Sequence, residues 1–264
     1  MYDFEYHRAG SVEEAVERLG ASPEAKILAG GMTLLPTMKL RLAQPETLVD
    51  LGGLTELRGV SGGDPVVIGA MTTHGEVAAS AEVAGSIPAL AGLAGGIGDA
   101  QVRNRGTLGG SLANSDPAAD YPAAVLGLDA TIRTNRRSLP AEQYFRGLFE
   151  TALEPDEIIV SVSFPKPARA GYAKFANPAS RYAVVGVFVA ETARGLRVAV
   201  TGAGACVFRL AEMEAALSRD FSPQSLDGIE VPADELNEDL HASAEYRAHL
   251  VGVLARRAVA AARG

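Results

Sequence analysis

Cysteine is the scarcest reactive residue in this sequence, because Cys206 is the only one among 264 residues. One thiol cannot form an internal disulfide framework, and an iron–sulfur cluster held by this chain alone would need several cysteine ligands. We interpret Cys206 as a small buried apolar residue. The four histidines are scattered, without the spacing of a metal site. The sequence therefore predicts that this chain itself binds no metal.

Basic residues are in the minority. The sequence has 24 Lys and Arg against 32 Asp and Glu, and its formal net charge is -8. Nucleic-acid binding needs clustered cations that displace counterions, so we expect no nucleic-acid partner. Long apolar runs are missing too: the longest, residues 182–190, is far shorter than the roughly 20 residues that cross a bilayer. The first residues do not resemble a secretory signal. We therefore expect a cytoplasmic protein without a membrane span.

Glycine, in contrast, is abundant, with 29 residues, and the chain is longer than a usual single domain. We predict three units: residues 1–54, residues 55–165 and residues 171–264. The segment between the last two, residues 165–171, contains two prolines, two cations and a glycine, which is typical of a linker. Strands followed by helices beyond this segment predict a small α+β domain.

Local patterns predict the main elements of each unit. Ser11 and Glu14 have the spacing of a capping box at the start of a helix. Pro36 is compatible with a helix only in its first turn. The elements that we predict are strands 26–29 and 47–51 and a helix over 34–42 in the first unit; strand 66–70, helices 73–79 and 84–95, and segments 123–128, 131–134 and 157–164 of a strand-rich second unit; and strands 182–191 and 196–201 with helices 210–217 and 244–262 in the third.

Two glycine doublets, Gly30–Gly31 and Gly109–Gly110, are the most informative feature of the chain. We expect each to follow an apolar strand, at a turn where glycine adopts positive φ and its missing Cβ admits a ligand. Exposed N–H groups at such a turn point together and form a nest for phosphate oxygens. A hydroxyl residue follows each doublet, Thr33 and Ser111. The two loops predict a split cradle for a cofactor that carries a diphosphate.

Other chemistry remains open from the residues alone. Asp116 and Asp120 follow the second doublet and could act as a general acid and base, although no histidine lies near them in sequence. Residues 198–205 form an apolar strand followed by Gly-x-Gly, which could open a nicotinamide-dinucleotide fold. Val207 stands where the third glycine of that motif is expected, and the remaining chain is short for such a domain. A non-enzymatic glycine-rich scaffold is the third alternative.

The glycine loops carry a resemblance to a known family. Residues 29–33, Ala-Gly-Gly-Met-Thr, are similar to the first FAD loop of the FAD-binding medium subunits of molybdenum hydroxylases, the carbon monoxide dehydrogenase and xanthine dehydrogenase flavoprotein family. Residues 107–111 are similar to the second loop. Residues 113–122 follow the family pattern Ala-Asn-x-Asp-Pro-x-x-Asp-x-Pro. The resemblance extends from the region of Phe4 to residues 241–247 and so covers essentially the whole chain.

The resemblance implies a fold and a cofactor site. The fold would be α+β, with a two-subdomain FAD-binding fold of the PCMH type (similar to vanillyl-alcohol oxidase) and a small C-terminal α+β domain. Tyr182 matches an aromatic position beside the isoalloxazine in some members, with Lys174 approaching from the C-terminal domain. The residues that would bind FAD are Ile27, Leu28, Ala29, Gly30, Gly31, Met32, Thr33, Leu34, Ile97, Thr107, Leu108, Gly109, Gly110, Ser111, Asn114, Asp116, Asp120, Ile159, Lys174 and Tyr182.

Two positions depart from the family pattern. Met32 stands where His, Gln or Ser is common, so one side-chain contact to the cofactor would be lost. Arg181 precedes Tyr182 where many relatives have an acidic residue, which changes the charge near the flavin. We therefore expect the flavin potential or the preferred electron acceptor to differ from those of such relatives.

The resemblance also implies the reaction and the partners. An iron–sulfur small subunit with two [2Fe–2S] clusters and a molybdopterin large subunit would carry the other redox centres. This chain would pass electrons through FAD to an acceptor such as NAD or a quinone. The substrate would bind on another chain, and no residue of this one would be catalytic.

Overall fold

The computed structural model describes residues 1–263. Its N-terminal part is a small parallel sheet in which one strand lies between the other two and pairs with both. Its elements are β1 (Glu5–Arg8), α1 (Val12–Gly20), β2 (Ala25–Leu28), α2 (Leu34–Lys39) and β3 (Thr47–Asp50). Because ligands bind outside the carboxyl ends of parallel strands, the glycine pair that follows β2 emerges where a ligand site is expected.

The start of α1 shows how the sequence defines a helix end, with one correction. Ser11 Oγ accepts a hydrogen bond from the Glu14 N–H at 3.1 Å, as predicted. The Glu14 carboxylate, however, accepts from the Gly10 N–H at 2.6 Å rather than from the N–H of Ser11, so the predicted capping box is incomplete. At its other end α2 stops at Lys39 instead of residue 42, because Arg41 has the positive φ of 60° that ends a helix.

The middle of the chain forms a five-stranded antiparallel sheet beneath a group of short helices. The strand order in this sheet is β4-β5-β10-β6-β7. The elements are β4 (Val60–Ser61), β5 (Val66–Gly69), α3 (His74–Ala79), α4 (Ala81–Ser86), α5 (Pro88–Gly95), α6 (Ala100–Arg105), α7 (Leu108–Asn114), α8 (Tyr121–Gly127), β6 (Thr131–Thr134), β7 (Ser138–Pro140), α9 (Ala141–Tyr144), the hairpin β8 (Phe145–Gly147) and β9 (Glu150–Thr151), and β10 (Ile159–Phe164).

Two sequence predictions in this region were wrong. The single helix expected over residues 84–95 is two helices, because Pro88 starts α5 and drives the preceding Ile87 out of the helical region. Residues 123–128, assigned to a strand-rich unit, lie mostly in α8. All seven residues of α8 are buried. A short apolar run that is buried on every side has no periodicity that separates helix from strand.

The C-terminal part is a four-stranded antiparallel sheet followed by two helices. Its elements are β11 (Arg169–Ala176), β12 (Ala183–Thr192), β13 (Gly195–Thr201), β14 (Phe208–Arg209), α10 (Ala211–Arg219) and α11 (Ala244–Arg263). The predicted linker 165–171 is shorter than expected, since β11 already begins at Arg169, whose Nε bonds Glu191 at 2.7 Å. The nicotinamide-dinucleotide interpretation was wrong, because residues 198–205 belong to an antiparallel strand and the turn after it, not to a parallel βαβ unit.

Strand β12 explains how the C-terminal sheet is held. All residues from Ala183 to Ala190 are buried. Val187 and Val189 pack with α10 and α11, while Phe188 and Ala190 pack into the core of the middle sheet. Both faces of β12 are covered. The first residue of the strand, Ala183, therefore has a fixed position relative to the rest of the molecule. Cys206, predicted to be buried, is only half-buried.

Arg197 links the C-terminal sheet to the middle of the chain by ion pairs. Its guanidinium is buried and lies 2.8 Å from Asp129 and 3.0 Å from Glu142. Arg194 pairs with the same Asp129 at 3.0 Å but is exposed. Arg197 and Arg194 therefore form a matched buried and exposed pair. Substituting each in turn measures how much an ion pair with Asp129 contributes to the free energy of unfolding.

Candidate functional site

A cleft of about 550 Å³ lies where the three parts of the chain meet, a volume within the usual range for ligand pockets. Its walls are the loop between β2 and α2, the segment of α6 and α7, and residues 180–182 before β12. Most of the predicted site residues line it: Ile27, Ala29, Gly30, Gly31, Met32, Thr33, Leu34, Ile97, Thr107, Gly110, Ser111, Asn114, Asp116, Asp120 and Tyr182.

The loop after β2 forms the first wall and has the geometry that the sequence predicts. Gly31 has a positive φ of 75°. A methyl group at Gly30 would lie 2.0 Å from the carbonyl oxygen of Arg105, so only glycine fits between the two walls. Within residues 1–263, the N–H groups of Gly30, Gly31, Met32 and Thr33 donate to no protein atom. Successive unpaired N–H groups at a turn form an anion-binding concavity.

The second doublet differs from the prediction. It lies in the first turn of α7, preceded by helix α6 instead of a strand, and neither Gly109 nor Gly110 has positive φ. Its N–H groups are already used: Gly109 donates to the Ala70 carbonyl at 2.8 Å and Gly110 to Thr107 Oγ1 at 3.1 Å. This wall therefore offers hydroxyl groups and a close approach to a ligand, and not a second nest of free N–H groups.

The far end of the cleft holds a buried charged cluster. The Asp120 carboxylate, 4% exposed, lies 2.9 Å from Lys174 Nζ and accepts a 2.6 Å hydrogen bond from the Tyr172 hydroxyl. Burial raises the pKa of the Asp120 carboxyl, and the charge of Lys174 opposes that rise. Lys174 also donates to the carbonyls of Gly96 and Arg181 at 2.9 and 3.0 Å. Lys174 thus connects the buried Asp120 with the backbone of residues 96 and 181 at the edge of the cleft.

The carboxylates show no sign of acid–base work. Asp116 accepts a hydrogen bond from the Ala118 N–H at 2.9 Å, and burial raises the pKa of its carboxyl. Asp120 is held by the tyrosine and lysine just described. Each carboxylate therefore has a structural partner of its own, which favours cofactor binding over the general acid and base interpretation.

Aromatic side chains border the mouth of the cleft. Tyr182 lies just before β12 instead of inside it, and at 41% exposed it is not a core residue. Burial and, after it, the charge of Asp116 raise the pKa of the Tyr182 hydroxyl. Phe149, 58% exposed, sits at the tip of the β8–β9 hairpin with a positive φ of 55°. Such a φ in a bulky residue is strained and occurs most often at functional sites.

Five predicted site residues do not line the cleft. Leu108 is fully buried and Ile159 belongs to the core of the middle sheet. Gly109 packs on Ala70, where a methyl group would come within 2.6 Å of the Ala70 Cβ. The other two are Leu28, at the end of β2, and Lys174, which lies behind Asp120. Membership of a motif is therefore not the same as facing the ligand.

The structure adds cleft residues that the sequence did not reveal. Arg181 was noted only for its charge, and Ala113 and Ala119 only as part of the 113–122 pattern. The others gave no pattern of their own: Lys26, His74, Gly98, Val102, Gly106, Phe149 and Ser180. Within residues 1–263, no three His, Cys, Asp or Glu side chains group as a metal site. No helix of that part of the chain is long and apolar enough to cross a membrane.

The cleft therefore has the free N–H groups and the volume that a diphosphate-bearing cofactor needs, and comparison with known proteins identifies the class of the protein. Residues 2–167 match the family described as FAD binding domain in molybdopterin dehydrogenase. The nicotine 6-hydroxylase medium subunit of Paenarthrobacter nicotinovorans is 39% identical, with 96% of this chain and 95% of the relative covered. The carbon monoxide dehydrogenase medium chain of Hydrogenophaga pseudoflava is 37% identical, with 98% and 96% covered.

Solved structures agree with the sequence comparison. A carbon monoxide dehydrogenase structure from Hydrogenophaga pseudoflava, lacking the Mo-pyranopterin moiety of its cofactor, aligns with a TM-score of 0.89 and 38% identity over 99% of this chain and 98% of that one. The chain belongs to the FAD-binding medium subunits of the molybdenum hydroxylases, and it is an oxidoreductase subunit whose cofactor is FAD. The predicted fold class, family and cofactor are confirmed, and the scaffold alternative was wrong.

Proposed function

We propose that this chain binds FAD in the cleft and relays electrons from iron–sulfur clusters of a partner subunit to an external acceptor. FAD supplies the redox chemistry when bound, while the protein binds it, orients it and tunes it. The observation that carries this proposal is the row of free N–H groups from Gly30 to Thr33, which faces the hydroxyls of Thr107 and Ser111 across one cleft.

Helix α7 sets the orientation of the cofactor. Its first turn faces the free N–H groups of the β2–α2 loop, and its last turn leads to Asp116 and Asp120. A helix of this length is about 10 Å long at 1.5 Å per residue. The N–H groups and hydroxyls at the glycine end of α7 would hold the diphosphate, and Asp120 and Tyr182 at its other end would hold the flavin ring.

The residues at the ring end position and shield the flavin. Lys174 holds the Asp120 carboxylate and the Arg181 carbonyl together, which fixes Tyr182 at the mouth of the cleft. Ile97, which also lines the cleft, would give the ring an apolar contact. The exposed cation Arg181 favours negative charge on the ring, an effect that salt screens. Met32 reaches the cleft without offering a polar contact.

The partners and the acceptor follow from the class of protein. The similar proteins are named medium subunits or medium chains, and this chain has one cysteine. We propose that a small subunit supplies [2Fe–2S] clusters, that a large subunit supplies the molybdenum cofactor and binds the substrate, and that NAD or a quinone accepts the electrons in the cytoplasm. The division at residues 1–54, 55–165 and 171–264 belongs to the same proposal.

The electron path can be tested in the native complex. The complex would be purified through a tag on this chain, mixed rapidly with its reducing substrate and followed by absorbance. We expect cluster bleaching to precede flavin bleaching, and NAD or quinone reduction to follow. A complex that carries Gly110→Val in this chain should keep cluster reduction and lose acceptor reduction. Undiminished acceptor reduction in a complex without flavin would overturn the relay.

A further inference from the structure

His74 is a buried polar residue of the cleft that has no partner. It is the first residue of α3 and only 5% exposed. Its ring packs at 5.3 Å from that of Tyr121, measured between centroids. Nδ1 is sealed from solvent and has no hydrogen-bond partner. Among the described residues, 1–263, no protein atom bonds Nε2 either, although the backbone N–H of His74 donates to the Gly106 carbonyl at 2.9 Å.

The position of Nε2 places it beside the glycine cradle. A methyl group at Gly106 would lie 2.5 Å from Nε2, so glycine leaves that nitrogen open. The other side of the Arg105–Gly106 backbone contacts Gly30, whose own N–H is free. His74, Gly106 and Gly30 all line the cleft. The imidazole therefore extends the row of donors that begins in the β2–α2 loop.

The charge state of the ring defines what it can donate. Burial, and after it the charge of Arg103, lowers the pKa of His74 to about 4. The ring is therefore neutral at pH 7 and carries one N–H. A buried N–H without a partner is costlier than an unused acceptor, so the proton belongs on Nε2, the nitrogen beside the cradle.

We propose that His74 is a cofactor-binding residue whose Nε2–H donates a hydrogen bond to a diphosphate oxygen of FAD. The inference rests on the proposed binding of FAD in this cleft, and it gives a role to a side chain outside the glycine motifs. It also accounts for a histidine that is buried without any protein partner, which is unusual because buried polar groups are nearly always satisfied.

The proposal predicts proton uptake on binding. The titratable groups on the elements around His74 are Arg103 and Arg105 of α6, Tyr121 of α8, and Glu76 and Glu82, which are bonded to Thr73 and Ser80. The packed helix α5 has none. A diphosphate beside the ring favours the imidazolium and raises its pKa. FAD affinity should therefore increase as the pH falls, and it should stop changing below about 4.

The test uses the full chain freed of flavin. In the wild type, the ¹⁵N resonances of His74, assigned by their loss in His74→Gln, should shift on addition of FAD or ADP and stay in place with riboflavin. His74→Phe removes the donor and should weaken FAD binding about tenfold or more, since hydrogen bonds to charged groups are strong. His74→Gln keeps a neutral donor and should bind within about threefold of wild type.

The exposed His249, in α11, provides the control variant His249→Phe, which should bind FAD like the wild type. Unmoved His74 resonances in a wild-type chain that does bind FAD would overturn the role of His74 and leave the proposed function intact. A wild-type chain that binds no FAD would overturn both. The resonance measurement uses wild-type protein, so misfolding of a variant does not decide the result.

Discussion

Closing the gap between the two walls of the cleft should abolish FAD binding without unfolding the chain. At Gly110 a methyl group would lie 2.8 Å from Thr107 Oγ1 and 3.6 Å from the Ala29 Cβ. Gly110→Val would place two more carbons in this space. The closest contact is with the Thr107 side chain and not with backbone, so a turn of that side chain about χ1 can relieve it. We therefore expect the variant Gly110→Val to fold and to lose its cofactor.

The expected stability change is small because two effects oppose each other. Glycine inside a helix is worse than alanine by roughly 1 kcal/mol, so a side chain at position 110 gains stability. Displacing the Thr107 hydroxyl from its cap of the Gly110 N–H costs about 1 kcal/mol. The thermal midpoint of the flavin-free protein should therefore stay within a few degrees of wild type.

The expected loss of affinity is large. A hundredfold weaker binding corresponds to about 2.8 kcal/mol, because each tenfold step is about 1.4 kcal/mol. We expect at least this loss for Gly110→Val and a smaller one for Gly110→Ala, measured by quenching of FAD fluorescence. The control is Gly92→Val in α5, where an added methyl group meets open space. Flavin content equal to wild type in Gly110→Val would show that α7 does not line the cofactor.

Three further predictions concern other parts of the chain. Tyr182→Ala should weaken FAD only modestly, since aromatic contacts add about 0.5–1.5 kcal/mol, yet change the flavin midpoint potential and speed reoxidation by oxygen; unchanged values in both assays would remove Tyr182 from the ring. Arg197→Ala should lower the free energy of unfolding by about 1.5–3 kcal/mol, because Asp129 and Glu142 lose a buried charged hydrogen-bond partner. The exposed control Arg194→Ala should change it by less than about 1 kcal/mol in the same urea titration, and similar losses in the two would refute the argument. The isolated chain should contain no molybdenum by elemental analysis and should hydroxylate no substrate. A positive result in either assay would contradict this prediction.

The sequence predicted those parts of the site that depend on local chemistry. Gly30–Gly31 was recognisable because a tight turn after a strand needs glycine, and the structure gives Gly31 a positive φ. The helix after Thr73 was also predictable, since Thr73 and Glu76 form a complete capping box. The same reasoning failed at Gly109–Gly110, where glycine serves close helix packing and every N–H in the turn is used internally.

The remaining site residues could not be predicted from the sequence, because tertiary packing brings them to the cleft. Phe149 reaches the cleft only through the β8–β9 hairpin, which brings it beside the end of α7. His74 is unpartnered only because Gly106 leaves room beside its ring. Lys174 was expected to approach the flavin from the C-terminal domain, and its ion pair with the buried Asp120 joins segments 54 residues apart. Contacts between segments distant in sequence leave no periodic signal.

The most direct test of the account is a titration of the flavin-stripped chain with FAD, followed by fluorescence and by thermal unfolding. A ligand that binds only the native state raises its stability with concentration. We expect saturation at one FAD per chain, a raised unfolding temperature, and competition by ADP. A wild-type chain that stays colourless and shows no thermal stabilisation in excess FAD would contradict it.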